Sequence, residues 1–219
     1  MFSNKELRSM IITLFFEQLL VMLVGIVDTF VVSSCGEAAV SGVSLVNQFN
    51  TIFIYLFTAL ASGGAIVVSQ YIGNKDEKRT ILSSSQLLMF SIVFSIILSI
   101  LVLIFNKQLL GLLFGKVESD VMKACVTYLR ISAYSYPALA IYNAGAALYR
   151  SMAKTKVTMY ISFAANIINV VGNIIGVYVL KAGVAGVAYP SLISRVFSAI
   201  IIMIQKIFLD LMERCSNVF

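Results

Sequence analysis

Six long apolar stretches divide this chain, and they constrain its fold more than any other feature of the sequence. They are residues 10–32, 46–70, 86–105, 124–148, 157–180 and 184–204. Each is close to the roughly 20 residues that a helix needs to cross about 30 Å of hydrocarbon. The alternating pattern of about ten residues that marks an outer-membrane barrel is missing. Because a spanning segment must satisfy its own backbone hydrogen bonds, the stretches predict six transmembrane helices.

The composition supports an all-α membrane protein. The chain is 60% hydrophobic and 12% charged, whereas soluble domains have about 45–50% apolar and about 25% charged residues. The six helices occupy residues 1–206, which we predict to form one transmembrane unit. The more polar residues 207–219 are predicted to form a cytoplasmic tail.

The distribution of lysine and arginine predicts the orientation. One side of the membrane holds the amino terminus, the second and fourth loops and the tail, with Lys5, Arg8, Lys75, Lys78, Arg79, Arg150, Lys154, Lys156, Lys206 and Arg214. The other side holds only Lys107, Lys116, Lys123 and Lys181. The positive-inside rule therefore places both termini in the cytoplasm, for a multi-pass protein of the plasma or inner membrane. Basic cytoplasmic loops also explain the net charge of +6, so no nucleic-acid partner is predicted.

Enzymatic and metal chemistry find no support in the sequence. There is no histidine, the three cysteines lack metal-ligand spacing, and no phosphate-binding glycine loop precedes a helix. The pair Gly63 and Gly64 lies inside an apolar stretch, where small residues favour close helix packing. Cys35 follows a short lipidation-like consensus, but the preceding stretch is longer than a signal h-region and contains two acids. We therefore predict no enzyme, no cofactor and no metal centre.

Two acids lie in the first stretch. Glu17 and Asp28 are eleven residues apart, which brings them within about 20° of the same helix face. An unpaired acid at the centre of a spanning helix costs about 2.5–3.5 kcal/mol, so it faces the protein interior, finds a partner or takes up a proton. Burial favours the neutral form of a carboxyl and a bound cation favours the charged form. Asp28 is thus either a proton or sodium switch or a structural acid that bonds a neighbouring helix.

Three amides form a stripe on the fifth stretch. Asn166, Asn169 and Asn173 recur at i, i+3 and i+7, which is one helix face. Their oxygens are hard ligands that suit a cation, or hydrogen-bond partners for a carboxylate. The alternative is that the amides only hold helices together. A sodium ion bound by Asp28, Asn169 and Asn173 is one outcome that the pattern allows.

Prolines and arginines in the apolar stretches have two interpretations each. Pro137 and Pro190 are predicted to kink their helices, either beside a substrate site or only for packing. Arg130 and Arg195 are predicted to lie near helix ends and to extend their charges to the interface.

Tyrosines and the remaining polar residues predict a cavity. Tyr134, Tyr136 and Tyr142 either line a site for a flat organic cation or belong to the interfacial aromatic belt. The side chains that we predict to line a substrate cavity are Glu17, Gln48, Tyr134, Tyr142 and Asn166.

The sequence resembles the amino-terminal half of the multidrug and toxic compound extrusion family, the MATE antiporters. The resemblance runs in family order through five stretches, namely residues 15–45, 61–79, 128–157, 166–173 ("NIINVVGN") and 183–195 ("GVAGVAYPSLISR"). The fold that this implies is one six-helix lobe of a MATE-type transporter. The implied function is proton- or sodium-coupled efflux of organic cations or drugs.

The resemblance also implies roles for particular residues. It makes Asp28 the acid that exchanges a proton or sodium ion for the substrate, opposite Asn169 and Asn173 in the lobe cavity. Ser191 occupies the position of a sixth-helix threonine, and Pro190 beside it replaces a small residue, which puts the placement of the hydroxyl in question. Relatives also often carry glycine and proline at the positions of Ala153 and Thr158, so the fourth loop is expected to differ in shape.

Family members have about twelve helices in two lobes, and alternating access requires two opposed halves. This chain supplies one lobe, so we expect it to act as a truncated, split or half-length transporter paired with a second lobe or a second copy, in contact with membrane lipid. Two alternatives remain open: a membrane-embedded small-molecule binding subunit that needs an energising partner, and an inactive fragment.

Overall fold

The computed structural model describes residues 4–115 and 117–216 and is built from helices. Seven α-helices follow one another along the described chain: α1 (Asn4–Ser33), α2 (Glu37–Gly73), α3 (Glu77–Phe114), α4 (Ser119–Tyr134), α5 (Tyr136–Ser151), α6 (Thr155–Ile174) and α7 (Ala185–Ser216). A short π-helical segment, Ile175–Val179, extends α6. Lys116, one of the basic residues predicted on the outer side, lies outside the described residues. The prediction of an all-α membrane fold is confirmed.

The predicted fourth span differs from the others because it is divided. Five helical segments in the described ranges are long and apolar enough to cross a membrane, while residues 124–148 fall on α4 and α5, two helices of 16 residues each. The division lies at Ser135, directly before the first turn of α5, where Pro137 lies. Proline lacks an N–H and its ring displaces the carbonyl four residues earlier. That carbonyl belongs to Ala133, and Ser99 Oγ of α3 donates to it at 2.7 Å.

The last helix is longer than the sequence indicates. The predicted final span ends at residue 204, whereas α7 continues to Ser216. The helix therefore extends into the segment predicted as a polar tail. Where this segment lies relative to the membrane stays a prediction.

The bundle has a small buried core, and its exterior is also apolar. Val46, Phe57, Leu129 and Tyr136 are fully buried, whereas many large apolar side chains, such as Met22 at 69% exposure, point outward. α1 packs along α6, α6 along α7, and α2 along α5. This is the arrangement expected of helices whose outer surface contacts lipid rather than water.

The connection between α5 and α6 is tight. Ala153 adopts a φ of 59°, the left-handed region that favours glycine. The N–H of Lys154 bonds to the carbonyl of Tyr149 at 2.9 Å and closes the end of α5. The short connection fixes the start of α6, and with it the register of the asparagine stripe against α1.

Two glycines allow a close approach of two backbones in the bundle. Gly176 of the π-helical segment and Gly186 of α7 face each other, and a Cβ on Gly186 would lie 2.6 Å from the carbonyl oxygen of Gly176. Backbone cannot yield as a flexible side chain can, so overpacking here separates the two elements.

We expect Gly186→Ala to lower the apparent Tm of the detergent-solubilised protein, measured by circular dichroism, with a loss of about 1–3 kcal/mol. The matched control is Gly63→Ala in α2, since a Cβ there meets nothing within 4 Å. Gly63 lies in the interior of α2, where alanine gains about 1 kcal/mol of helix propensity over glycine, so the control should leave the Tm unchanged or raise it. Equal stability of the two variants would contradict the packing argument.

Candidate functional site

The carboxylate of Asp28 lies between α1 and α6. Asp28 is five residues before the end of α1 and is partly buried. Its Oδ1 accepts a hydrogen bond from Nδ2 of Asn173 at 2.5 Å. Asn173 is the last asparagine of the stripe and is fully buried. The two elements that the sequence singled out for their polar residues therefore meet at these two side chains.

Asp28 is the first member of a chain of hydrogen bonds that crosses three helices. Nδ2 of Asn173 also donates to Oδ1 of Asn169 at 3.1 Å. Nδ2 of Asn169 donates in turn to Oγ of Ser191 on α7 at 2.9 Å. We call these four residues, Asp28, Asn173, Asn169 and Ser191, the acid–amide chain. It contains all four residues that were predicted to couple an ion.

Pro190 does not remove the hydroxyl of Ser191 from this chain. Ser191 Oγ donates to the carbonyl of Val187 at 3.1 Å while it accepts from Asn169. The ring of Pro190 packs on Gly172, where a Cβ would come within 2.7 Å of the proline Cβ. Gly172 and Pro190 thus form a close contact between α6 and α7 directly beside the polar residues.

One acceptor in the acid–amide chain has no partner. Oδ1 of Asn173 is buried and makes no hydrogen bond among the described residues. A buried polar atom without a partner calls for a ligand, a water molecule or a second conformation. Carboxylate, amide and hydroxyl oxygens are the donors that suit a sodium ion or a proton rather than a soft metal. The π-helical segment that follows Asn173 is of a kind often found at functional sites.

A second polar cluster lies on the same face of α1, closer to its amino-terminal end. Glu17 is only 7% exposed, and its Oε1 accepts from the hydroxyl of Tyr142 at 3.3 Å. The same hydroxyl lies 3.5 Å from the carbonyl oxygen of Thr158. Oε2 of Glu17 and Nδ2 of Asn166 are buried and without a partner among the described residues. Two predicted cavity residues, Glu17 and Tyr142, are thus in contact.

The remaining predicted cavity residues lie elsewhere. Gln48 and Tyr134 are exposed on the surface of the bundle, and Tyr134 has an exposed fraction of 60%. Tyr136 is instead fully buried, stacks on Phe53 and donates to Oδ1 of Asn50 at 2.8 Å. Neither interpretation of the three tyrosines fits Tyr136, which is a core residue.

Arg195 is the polar residue whose position the sequence interpretation missed. It was predicted near a helix end, but it lies ten residues after the start of α7 at Ala185, so that prediction is wrong. Its Nη1 donates to Oγ of Ser135 at the division between α4 and α5, at 2.7 Å. A signal was present: residue 195 is close to the middle of its own apolar stretch, and ionisable residues there are functional candidates by default.

Comparisons with known proteins extend these observations. A model of the MatE family matches residues 13–175. The chain is 26% identical over 199 residues to "Uncharacterized transporter YisQ" of Bacillus subtilis, which covers 88% of this chain and 43% of that protein. It is 27% identical over 186 residues to "Multidrug and toxin extrusion protein 2" of Mus musculus. That match covers 84% of this chain and 32% of the mouse protein. The chain spans less than half the length of these curated relatives.

Solved structures share the fold. The "Crystal structure of MATE in the bent conformation" matches with a TM-score of 0.84 at 21% identity, over 91% of this chain and 44% of that one. The "Outward-facing conformation of a multidrug resistance MATE family transporter of the MOP superfamily" matches with a TM-score of 0.82 at 21% identity. That match covers 87% of this chain and 42% of the other. The bundle therefore has the fold of about half of such a structure.

Proposed function

Because its residues 13–175 match that family's model, the chain belongs to the MatE family, and we propose that it is one lobe of a proton- or sodium-coupled exporter of organic cations. The family consists of membrane transporters rather than enzymes. The names of several relatives refer to multidrug resistance or toxin extrusion. We carry that activity over to this chain as the proposal.

The hydrogen bond between Asp28 and Asn173 is the observation that carries the proposal. An ionised carboxylate accepts only, so it pairs with the amide nitrogen of Asn173. Once Asp28 holds a proton or a sodium ion, the favoured partner is the amide oxygen, which has no donor in the present arrangement. A half-turn of the Asn173 amide then distinguishes the two states of the site.

Such a turn would be transmitted along the acid–amide chain. Asn169 Oδ1 accepts from the same Nδ2 that donates to Asp28, and Asn169 itself donates to Ser191. Neutralising Asp28 therefore disturbs contacts of α1, α6 and α7 together. Because an organic cation also needs the ionised carboxylate, the cation and the coupling ion compete for one group, which is the basis of exchange.

We further propose that the working transporter contains a second lobe. Alternating access requires two halves that move against each other around a central site. The termini would lie in the cytoplasm of a plasma or inner membrane, as the basic loops predict.

Dye transport in proteoliposomes tests the proposal. The chain is reconstituted alone and together with the second half of a relative, vesicles are loaded with a fluorescent organic cation, and a proton or a sodium gradient is imposed separately. We expect the combined lobes to export the dye in response to one of the gradients. Dye binding that is saturable but indifferent to both gradients would instead support a binding subunit, and no binding would support an inactive fragment.

A further inference from the structure

Arg195 carries a positive charge within the bundle, beside the acid–amide chain. Arg195 follows Ser191 by four residues, so both side chains lie on one face of α7, about 6 Å apart along the helix axis. Ser191 belongs to the acid–amide chain through its bond from Asn169 at 2.9 Å, so Arg195 lies one helical turn from that chain. Arg195 thus lies between the acid–amide chain and the division between α4 and α5, where its Nη1 donates to Ser135 at 2.7 Å.

The two opposite charges do not neutralise each other directly. Within the described ranges, the ion pairs are Asp76 with Arg79 at 3.3 Å and Asp120 with Lys123 at 3.0 Å, both at the ends of helices. Asp28 is held by Asn173, and Arg195 is held by Ser135. The carboxylate and the guanidinium are therefore each held by a neutral partner rather than by each other.

The guanidinium has hydrogen-bonding capacity to spare. Arginine has five N–H donors in a planar fork, and the described residues account for one of them, the bond to Ser135. Arg195 is also partly exposed rather than sealed in the core. A planar fork with open donors is the group that proteins use to bind carboxylates and phosphates in two-point contact.

We propose that Arg195 forms an anion-binding subsite, so that this lobe selects substrates carrying a carboxylate or a similar anion beside their cationic group. The inference rests on the proposed function and specifies its substrate class. The cationic group binds near Asp28, and the anionic group binds at Arg195. A substrate with only a positive charge gains from Asp28 but is repelled by Arg195, whereas a zwitterion gains from both.

A pair of dyes that differ in one group tests the subsite. Tetramethylrhodamine is zwitterionic, and its methyl ester is a net cation with the same ring system. Binding of each dye to the purified chain in nanodiscs is followed by fluorescence anisotropy at low ionic strength, because salt screens exposed charges. We expect the zwitterion to bind about tenfold more tightly than the ester, the ratio given by about 1.4 kcal/mol.

Four variants separate the charge of Arg195 from its structural bond. Arg195→Gln should reduce the preference to within about twofold, and Arg195→Lys should retain part of it, since lysine keeps the charge but lacks the fork. Ser135→Ala removes the bond at the helix division and leaves the charge, so it should keep the preference. Asp28→Asn should weaken binding of both dyes.

The outcomes distinguish the two proposals. The subsite is disproved if wild type binds the ester as tightly as the zwitterion, if Arg195→Gln keeps the preference, or if Ser135→Ala loses it equally. If instead ester binding is indifferent to Asp28→Asn, the proposed cation exchange fails whatever Arg195 does. Failure of the wild-type chain to bind either dye counts against both.

Discussion

Asp28→Asn is expected to reduce gradient-driven dye export to the level of empty vesicles. The substituted amide has nearly the same size and can still bond to Asn173, so the bundle should remain intact. An amide cannot release or take up a proton at any accessible pH, and it offers a cation no full charge. The exchange that links the ion to the organic cation therefore loses its common group. Transport is measured in proteoliposomes, and stability by thermal unfolding in detergent.

The pH dependence of cation binding tests the same role of Asp28, and its direction can be predicted. Protonation neutralises Asp28, so the wild-type lobe should bind an organic cation more tightly as the pH rises. Exchange of one proton for one cation limits the change to about tenfold for each pH unit. If sodium is the coupling ion, added sodium should weaken cation binding instead. Asp28→Asn should make both responses flat.

Asp120→Asn is the matched control for this substitution. Asp120 is exposed and pairs with Lys123 at 3.0 Å on the surface of α4. Exposed ion pairs contribute about 0–1 kcal/mol, so transport and its ion dependence should not change. An Asp28→Asn variant that still exports dye in a pH- or sodium-dependent manner would show that another group couples the ion.

The encounter of α1 with α6 was predictable only in part from the spacing of the polar residues. Asp28 and the stripe of Asn166, Asn169 and Asn173 are polar positions in apolar stretches, and burial of such groups demands partners. Helical periodicity fixed which of them share a face. Periodicity does not say which helices pack together, however, and it was the family resemblance that implied the placement of Asp28 opposite Asn169 and Asn173.

The division between α4 and α5 could not be predicted in the same way. Pro137 indicates a distortion, but proline in a membrane helix produces anything from a mild kink to a break. The result depends on whether other helices satisfy the freed backbone groups. Here Ser99 of α3 bonds to the carbonyl of Ala133, and Arg195 of α7 bonds to Ser135. Both contacts join residues far apart in the sequence, and periodicity does not report them.

Asn173→Leu is expected to impair transport nearly as severely as Asp28→Asn while the fold persists. Leucine has a similar volume but removes the donor to Asp28, and hydrogen bonds to charged groups contribute about 1.5–3 kcal/mol. Since about 1.4 kcal/mol corresponds to tenfold, cation affinity should fall by about tenfold or more. The substitution removes the buried Oδ1 that has no partner among the described residues, but it leaves Asp28 and Oδ1 of Asn169 without their donor, so thermal stability should fall by about 1–3 kcal/mol.

Asn166→Leu is the control, since it makes the same change on the same stripe. Nδ2 of Asn166 has no partner in the described part of the chain, so replacing it with an apolar group should be neutral or stabilising. The double variant that combines Asp28→Asn with Asn173→Leu completes a double-mutant cycle. If the two residues act as one unit, the double variant should be no worse than Asp28→Asn alone. Additive losses of transport, or an equal loss of thermal stability in Asn166→Leu, would mean that Asn173 acts through packing, and Asp28 would then need a different partner in its ionised state.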